Sequence, residues 1–325
     1  MAKNDYTFDW NDLAFGSKKT VSSLKATFVA APRQISQKRL KQLVKDYLPK
    51  GNIVLGIAKE QYVDGLGPSP AFHMLSRDDV QQIVALVNAA SKSNRIYYLR
   101  YSQRDLPHIL EKISFRQILL VRGSWHTVFH GHKAYYVMAN RGIPYAYISP
   151  FADETEALAY ATEQDAALNH DFALPSAGQF SAEQMLALAD IAAKHSLDYS
   201  FQTGAVLGRK TKTNKYKLLA WSYNKVVPYQ TYAMHHGNSR EDNFSPPNDL
   251  NYYDAIHAEM NLLVTAERQN IDLRGTSLFI NLLPCPTCAK VLSQTDVASI
   301  IYRHDHSAGY AADLFQATGI KLIAA

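Results

Sequence analysis

Two short motifs late in the chain combine metal-binding residue types with one that moves protons. His257-Ala-Glu259 is followed by Pro284-Cys-Pro-Thr-Cys288. One imidazole and two thiols make three protein ligands for Zn²⁺, whereas a structural zinc site normally closes with four. The missing fourth ligand is the argument for catalysis. A zinc position left open holds a water, whose pKa falls from about 15.7 to about 7. Glu259, two positions from His257, can contact such a water without being a ligand and can pass its proton on. Other readings of the cysteines fit less well. A zinc ribbon needs a second Cys-x-x-C, and Cys285 and Cys288 are the chain's 2 cysteines. A thioredoxin-type redox pair has no use for the His-x-Glu upstream. Two cysteines cannot make a disulfide framework, and their spacing points to a reducing compartment, the cytoplasm.

The elements that must position these residues can be read around them. Ala258 to about Gln269 is a predicted helix, Asp272 to Gly275 a turn, and Ser277-Leu-Phe-Ile-Asn281 a strand. The cysteine motif then opens a second helix. Both motifs therefore start helices beside strand ends, where sites of α/β sheets form and where the helix dipole favours thiolate. Upstream, Ser181-Ala-Glu-Gln184 has the pattern of a capping box, and Met185, Leu188, Ala189 and Ala192 give a helical stripe. Gly204 to Gly208 and Lys217 to Ser222 read as strands joined by a polar, basic hairpin tip. Tyr252 and Tyr253, just before the His-Ala-Glu helix, have faces on which a base could stack.

With these segments in view, the second half resembles the cytidine/deoxycytidylate deaminase superfamily, whose signature is His-x-Glu followed by Pro-Cys-x-x-Cys. The likeness is greatest to the deoxycytidylate (dCMP) deaminase branch. It runs through His257-Ala-Glu-Met-Asn-Leu-Leu263, Asp272 to Lys290, and Gly319-Ile-Lys-Leu322. The resemblance implies a three-layer α/β/α domain over residues 181–325. It implies a zinc cofactor on His257, Cys285 and Cys288, with Glu259 as proton carrier. Hydrolysis of dCMP to dUMP with loss of ammonia, and assembly into homo-oligomers, follow as expectations. It also implies that the backbones of Ala205 and Ala258 line the base pocket. Asn224, in Ser222-Tyr-Asn224, is the implied ligand of the sugar hydroxyl. A nucleotide phosphate needs cationic or amide donors, and the loop between Lys225 and Asp254 offers Lys225, His235, His236 and Arg240.

The rest of the 325 residues carries a fold class and little chemistry. Residues 1–30 show no pattern and are taken as an extension, and 31–168 as a separate α/β domain. Residues 169–180, loop-like in composition, are taken as a linker. Strands are predicted at 52–58, 95–101, 117–121, 134–138 and 143–148, and helices at 33–50, 76–90, 104–113 and 153–164. The helix at 33–50 sets six basic residues against one acid (Asp46), a surplus as large as the whole chain's net +5. That face admits a second reading, a polynucleotide deaminase using the basic helix to hold RNA or DNA. A third reading is a deaminase-like nucleotide-binding protein without turnover. His126, His130 and His132 lie close together but lack a cysteine or carboxylate companion. The glycines at 65 and 67 lack the third glycine of a dinucleotide fingerprint. At 47% apolar and 19% charged the composition excludes a largely disordered chain, and no apolar run is long enough to span a bilayer.

Overall fold

A computed structural model describes residues 25–30, 35–60, 74–123, 129–198, 202–246, 252–305 and 309–325. The chain forms two compact units. One comprises Met1–Ala157 with Ala233–Tyr252, and the other Leu158–Tyr232 with Tyr253–Ala325. The second unit's chain is thus interrupted by a segment that folds with the first.

In the first unit, elements alternate as β1 (Ala26–Ala30), α1 (Gln37–Tyr47), β2 (Asn52–Ala58), α2 (Arg77–Ala90), β3 (Ile96–Tyr101), α3 (Leu106–Lys112), β4 (Gln117–Val121), α4 (Lys133–Asn140), β5 (Tyr145–Ile148) and α5 (Glu154–Asp171). The strands are all parallel, in the order β3-β2-β1-β4-β5. Alternate residues face opposite sides, as the strand period requires. Phe28, Val54, Leu99 and Leu120 pack with Leu106 and Ile109 of α3 and Met138 of α4. Val29, Leu55 and Leu119 pack with Leu40 and Leu43 of α1 and with Val80 and Val84 of α2. Ser76 and Asp79 form the expected capping box.

Two expectations are overturned here. Residues 26–30 do not extend away from the fold. They are its central strand, every residue buried and paired with β2, and Thr27 to Ala30 paired with β4 as well. Residues 134–138 form a helix, not a strand. Ala134 and Met138 are buried one turn apart while Tyr136 is 56% exposed, a spacing that a period of two would not give. Of the three histidines, His126 and, in the glycine-rich segment, residues 65 and 67 lie outside the described residues. His130 bonds Glu241 and His132 stacks on Phe129. The basic helix spends part of its charge internally: Lys38 pairs with Asp153 at 2.5 Å, and Arg39 donates to the Ser149 carbonyl. No helix among the described residues is long and apolar enough to cross a membrane.

The second unit begins within α5 and continues through β6 (Gln179–Phe180), α6 (Ala182–Ala193), β7 (Gly204–Lys210), β8 (Tyr216–Tyr223) and β9 (Lys225–Val226). Helices α7 (Tyr232–His236) and α8 (Ser239–Asp242) occupy the interrupting segment. Then come β10 (Ala255–Ile256), α9 (Ala258–Arg268), β11 (Thr276–Leu282), α10 (Pro286–Leu292), β12 (Ser299–His304), α11 (Tyr310–Thr318) and β13 (Lys321–Ala324). A six-stranded mixed sheet runs β13-β12-β11-β7-β8-β6. Helix α6 packs on one face through Met185 and Ala189, against Val206, Leu218 and Phe279. Helices α9, α10 and α11 cover the other through Leu262, Leu292 and Phe315, against Leu207, Leu278 and Ile300. This is the expected three-layer α/β/α sandwich. Gly204 permits a close approach of β7 to α6, since a Cβ there would lie 2.0 Å from the Ala189 carbonyl oxygen.

Candidate active site

The site collects at one edge of the second unit's sheet because of strand direction. Strand β7 is antiparallel to β8 and β11, so its beginning lies beside their ends. Thr203 precedes β7, Asn224 follows β8, and Leu282 ends β11. Cys285 caps α10 just beyond β11, and His257 caps α9 just beyond β10. Two side-chain bonds tie α9 to β8. The Ser222 hydroxyl donates to the Ala258 carbonyl at 2.7 Å, and the Asn261 amide donates to the Tyr223 carbonyl at 3.0 Å. The edge of Tyr253 meets His257, ring centroids 4.8 Å apart. Thr203, Asn224, Tyr253, His257, Leu282 and Cys285 line one open cleft.

His257 Nδ1 lies 3.5 Å from Cys285 Sγ and 3.3 Å from Cys288 Sγ. The three donor atoms fall within 4.8 Å of one another. With Zn–S near 2.3 Å and Zn–N near 2.0–2.1 Å, a tetrahedral ion would set N and S roughly 3.6 Å apart. The observed spacings fit. Among the described residues no further His, Cys, Asp or Glu joins this cluster.

The electrostatics support the same reading. Cys285 is pushed down to about 4, chiefly by a hydrogen bond from Cys288. That same bond, followed by burial, pushes Cys288 up. The two sulfurs share one proton, and both can be thiolates when a cation sits between them. His257 is pushed up, first by its bond to Cys285, with Glu259 and Asp198 adding to the pull against the effect of burial. The cluster attracts positive charge. Glu259, 4% exposed, is raised to about 7, first by burial.

The structure brings most of the expected residues together. Glu259, His257, Cys285, Ala258, Tyr253 and Asn224 line the cleft, and Cys288 completes the donor cluster. Ala205 is wholly buried in β7 and is not among the lining residues. His236 and Arg240 belong to the segment that folds with the first unit and are not among them either. There His236 faces Glu154 at 3.5 Å, and buried Arg240 donates to the Pro246 carbonyl at 3.2 Å. Three lining residues were not anticipated: Asp198 and Thr203, whose signal is positional because both precede β7, a strand whose start must lie at the site's edge, and Leu282, which ends β11.

Residues 180–304 match the family described as the cytidine and deoxycytidylate deaminase zinc-binding region. This part of the chain belongs to the cytidine/deoxycytidylate deaminase superfamily. Within it, the chain is most like the deoxycytidylate deaminases. It is 36% identical over 47 residues to the deoxycytidylate deaminase of Enterobacteria phage T4, covering 14% of this chain and 24% of the phage protein. It is 28% identical over 130 residues to the Mus musculus deoxycytidylate deaminase, covering 38% of this chain and 64% of that protein. The chain thus spans less than two thirds of either relative. A solved dCMP deaminase from cyanophage S-TIM5, in complex with dCMP and dUMP, is 23% identical with a TM-score of 0.35, covering 44% of this chain and 95% of that one.

Proposed function

We propose that the second unit is a hydrolytic deaminase that converts a cytosine nucleotide, dCMP foremost, to its uracil counterpart with release of ammonia. The observation that carries this reading is the buried carboxylate of Glu259 lining the same cleft as His257 and Cys285 of the three-donor cluster. Zinc fits that cluster, with His257, Cys285 and Cys288 to hold it, and when bound supplies a Lewis acid that brings a water's pKa to about 7. Glu259 takes a proton from the attacking water and delivers it to N3 of the ring. It carries a further proton to the departing amine as the C4–N bond breaks and the C4 carbonyl forms. Burial suits it to this work, because a carboxyl raised to about 7 can both accept and return a proton near neutral pH. The dCMP assignment is supported by the deoxycytidylate deaminases among the relatives.

The test is ammonia release from cytosine, cytidine, deoxycytidine, CMP, dCMP, dCTP and a cytosine-containing oligonucleotide. Glu259→Gln should keep wild-type zinc content and lose at least ~10² of the rate, the low end for a proton-transfer group. Near-wild-type turnover in that variant removes Glu259 from the mechanism.

A further inference from the structure

The hairpin that joins β7 to β8 lies at the far end of those strands from the cleft. From Arg209 to Lys217 it carries Arg209, Lys210, Lys212, Lys215 and Lys217 and no acid. All five cations are exposed. The four lysines form no ion pair among the described residues, and Arg209 donates to the Asp272 carbonyl at 2.6 Å. Arg209 and Lys217 are direct cross-strand partners. Like charges opposed in this way, about 5 Å apart at Cβ, destabilise a sheet, and an anion between them would relieve the repulsion. The turn is preformed. The Thr211 N–H and hydroxyl both donate to the Lys215 carbonyl, at 2.8 and 3.0 Å, and Asn214 takes a left-handed backbone, φ 60°, that asparagine tolerates. Strand β11 pairs with β7 only as far as Arg209, and β6 with β8 only as far as Tyr216, so residues 211–215 project past the neighbouring strands.

We propose that this hairpin docks the protein on duplex DNA through the phosphate backbone. A two-stranded ribbon fits the B-form major groove, about 12 Å wide, which has phosphates along both walls. The cations match that setting. Strand alternation puts Arg209 and Lys217 on one face of the ribbon and Lys210 on the other, with Lys212 and Lys215 at the turn. The major groove of duplex RNA is too narrow and deep to admit the ribbon. Proteins that hold single strands stack bases on aromatic rings, and the aromatic side chain of this hairpin, Tyr216, is buried against Phe279. Strand β7 is 7 residues long and starts beside the cleft, so at about 3.3 Å per residue the cations lie roughly 20 Å from the chemistry. DNA held there is a dock and not the substrate.

The test is fluorescence anisotropy with a labelled DNA duplex at a series of salt concentrations, on the full chain and its variants. Wild type should bind with an affinity that falls steeply as salt rises. K210Q/K212Q/K215Q/K217Q should weaken binding at least about tenfold at low salt. It should also flatten the log–log salt slope by at least about 2, since each phosphate contact contributes about 0.9. K212Q/K215Q, confined to the turn, should lose part of both, and it decides the matter should the fourfold variant not fold. K41Q/K45Q on α1 is the control for the other basic surface. Failure of wild type to bind at low salt overturns the proposal, as does a loss produced by K41Q/K45Q and not by the hairpin variants. Equal affinity for duplex RNA, for a single strand or for phosphatidylserine vesicles overturns the assignment to duplex DNA. Turnover of dCMP should be indifferent to added duplex and to the hairpin substitutions, whereas competitive inhibition by the duplex puts DNA in the cleft and refutes the dock. The binding measurements hold whether or not the deaminase reading does.

Discussion

Replacing Glu241 by alanine should destabilise the first unit by about 3–5 kcal/mol, the cost of opening a buried pair from one side. Glu241 lies in α8, 8% exposed. Its carboxylate receives the His130 backbone N–H at 3.2 and 3.3 Å and faces His130 Nδ1 at 3.0 Å. It also takes the Tyr147 hydroxyl. Burial first, and then this bond, push the proton affinity of Tyr147 up. On the far side of the ring, His130 Nε2 meets the Ser245 carbonyl at 3.0 Å. Alanine at 241 would strand donors on β5 and beside α4 together, and each buried unsatisfied group costs about 1–3 kcal/mol. At roughly 2–4 °C per kcal/mol for units of this size, the first unit's melting transition should fall by roughly 6–20 °C. Calorimetry resolving the two units' transitions provides the measurement. Combining it with His130→Ala completes a double-mutant cycle, which should show coupling above about 0.5 kcal/mol. A loss below about 1 kcal/mol, or simple additivity of the two substitutions, would mean that the carboxylate does not clamp the segment.

Three other expectations follow from particular contacts. Gly204→Ala places a Cβ 2.0 Å from the Ala189 oxygen and 2.5 Å from the Ala193 nitrogen, backbone atoms that cannot yield without moving α6. It should cost the second unit about 1–3 kcal/mol or more in urea unfolding, and a neutral result would show that α6 is free to shift. Chelating the metal should lower the second unit's melting transition and expose two reactive thiols, Cys285 and Cys288. Thiol titration unchanged by chelator would remove the metal from this cluster. Half-buried Tyr223 is raised from 10.0 to about 12, first by its partial burial. Its folded proton affinity exceeds the unfolded value, so the stability it contributes is complete below about pH 10 and lost as pH rises toward 12. Absorbance at alkaline pH should therefore show this phenol ionising after the exposed ones, and ionisation with them would contradict its burial.

How much of this was legible in sequence depended on how local the signal was. His257, Glu259, Cys285 and Cys288 could be read directly, because zinc accepts few residue types and their spacing set both motifs at helix starts. The capping boxes at Ser76 and Ser181 were equally local. Strand β1 was not. Ala-Thr-Phe-Val-Ala is a short apolar run with no alternation, because it is buried on both faces. Asp198 and Thr203 escaped notice because nothing in their neighbours marks them. Their place in the cleft follows from the antiparallel pairing of β7 with β11, strands that lie about seventy positions apart.

The least legible feature was the interruption of the second unit, and its logic is one of chain closure. Asn224 and His257 both line the cleft, yet the chain between them folds in part with the first unit. The excursion is pinned where it leaves and re-enters: Val226 pairs with Ala255 and Lys225 with Ile256 in the ribbon of β9 and β10. Because departure and return are adjacent, the cleft keeps its two flanking residues in register whatever the intervening length, and lengthening a loop costs little once its ends are held. Anchoring then comes from contacts distant in sequence. Ser149 meets His235 Nδ1 at 2.7 Å, and the Arg122 guanidinium donates to the His235 carbonyl at 3.1 Å. No local pattern encodes such partners. That is why a loop read as a phosphate cradle holds, in His235 and Arg240, side chains bonded within the first unit.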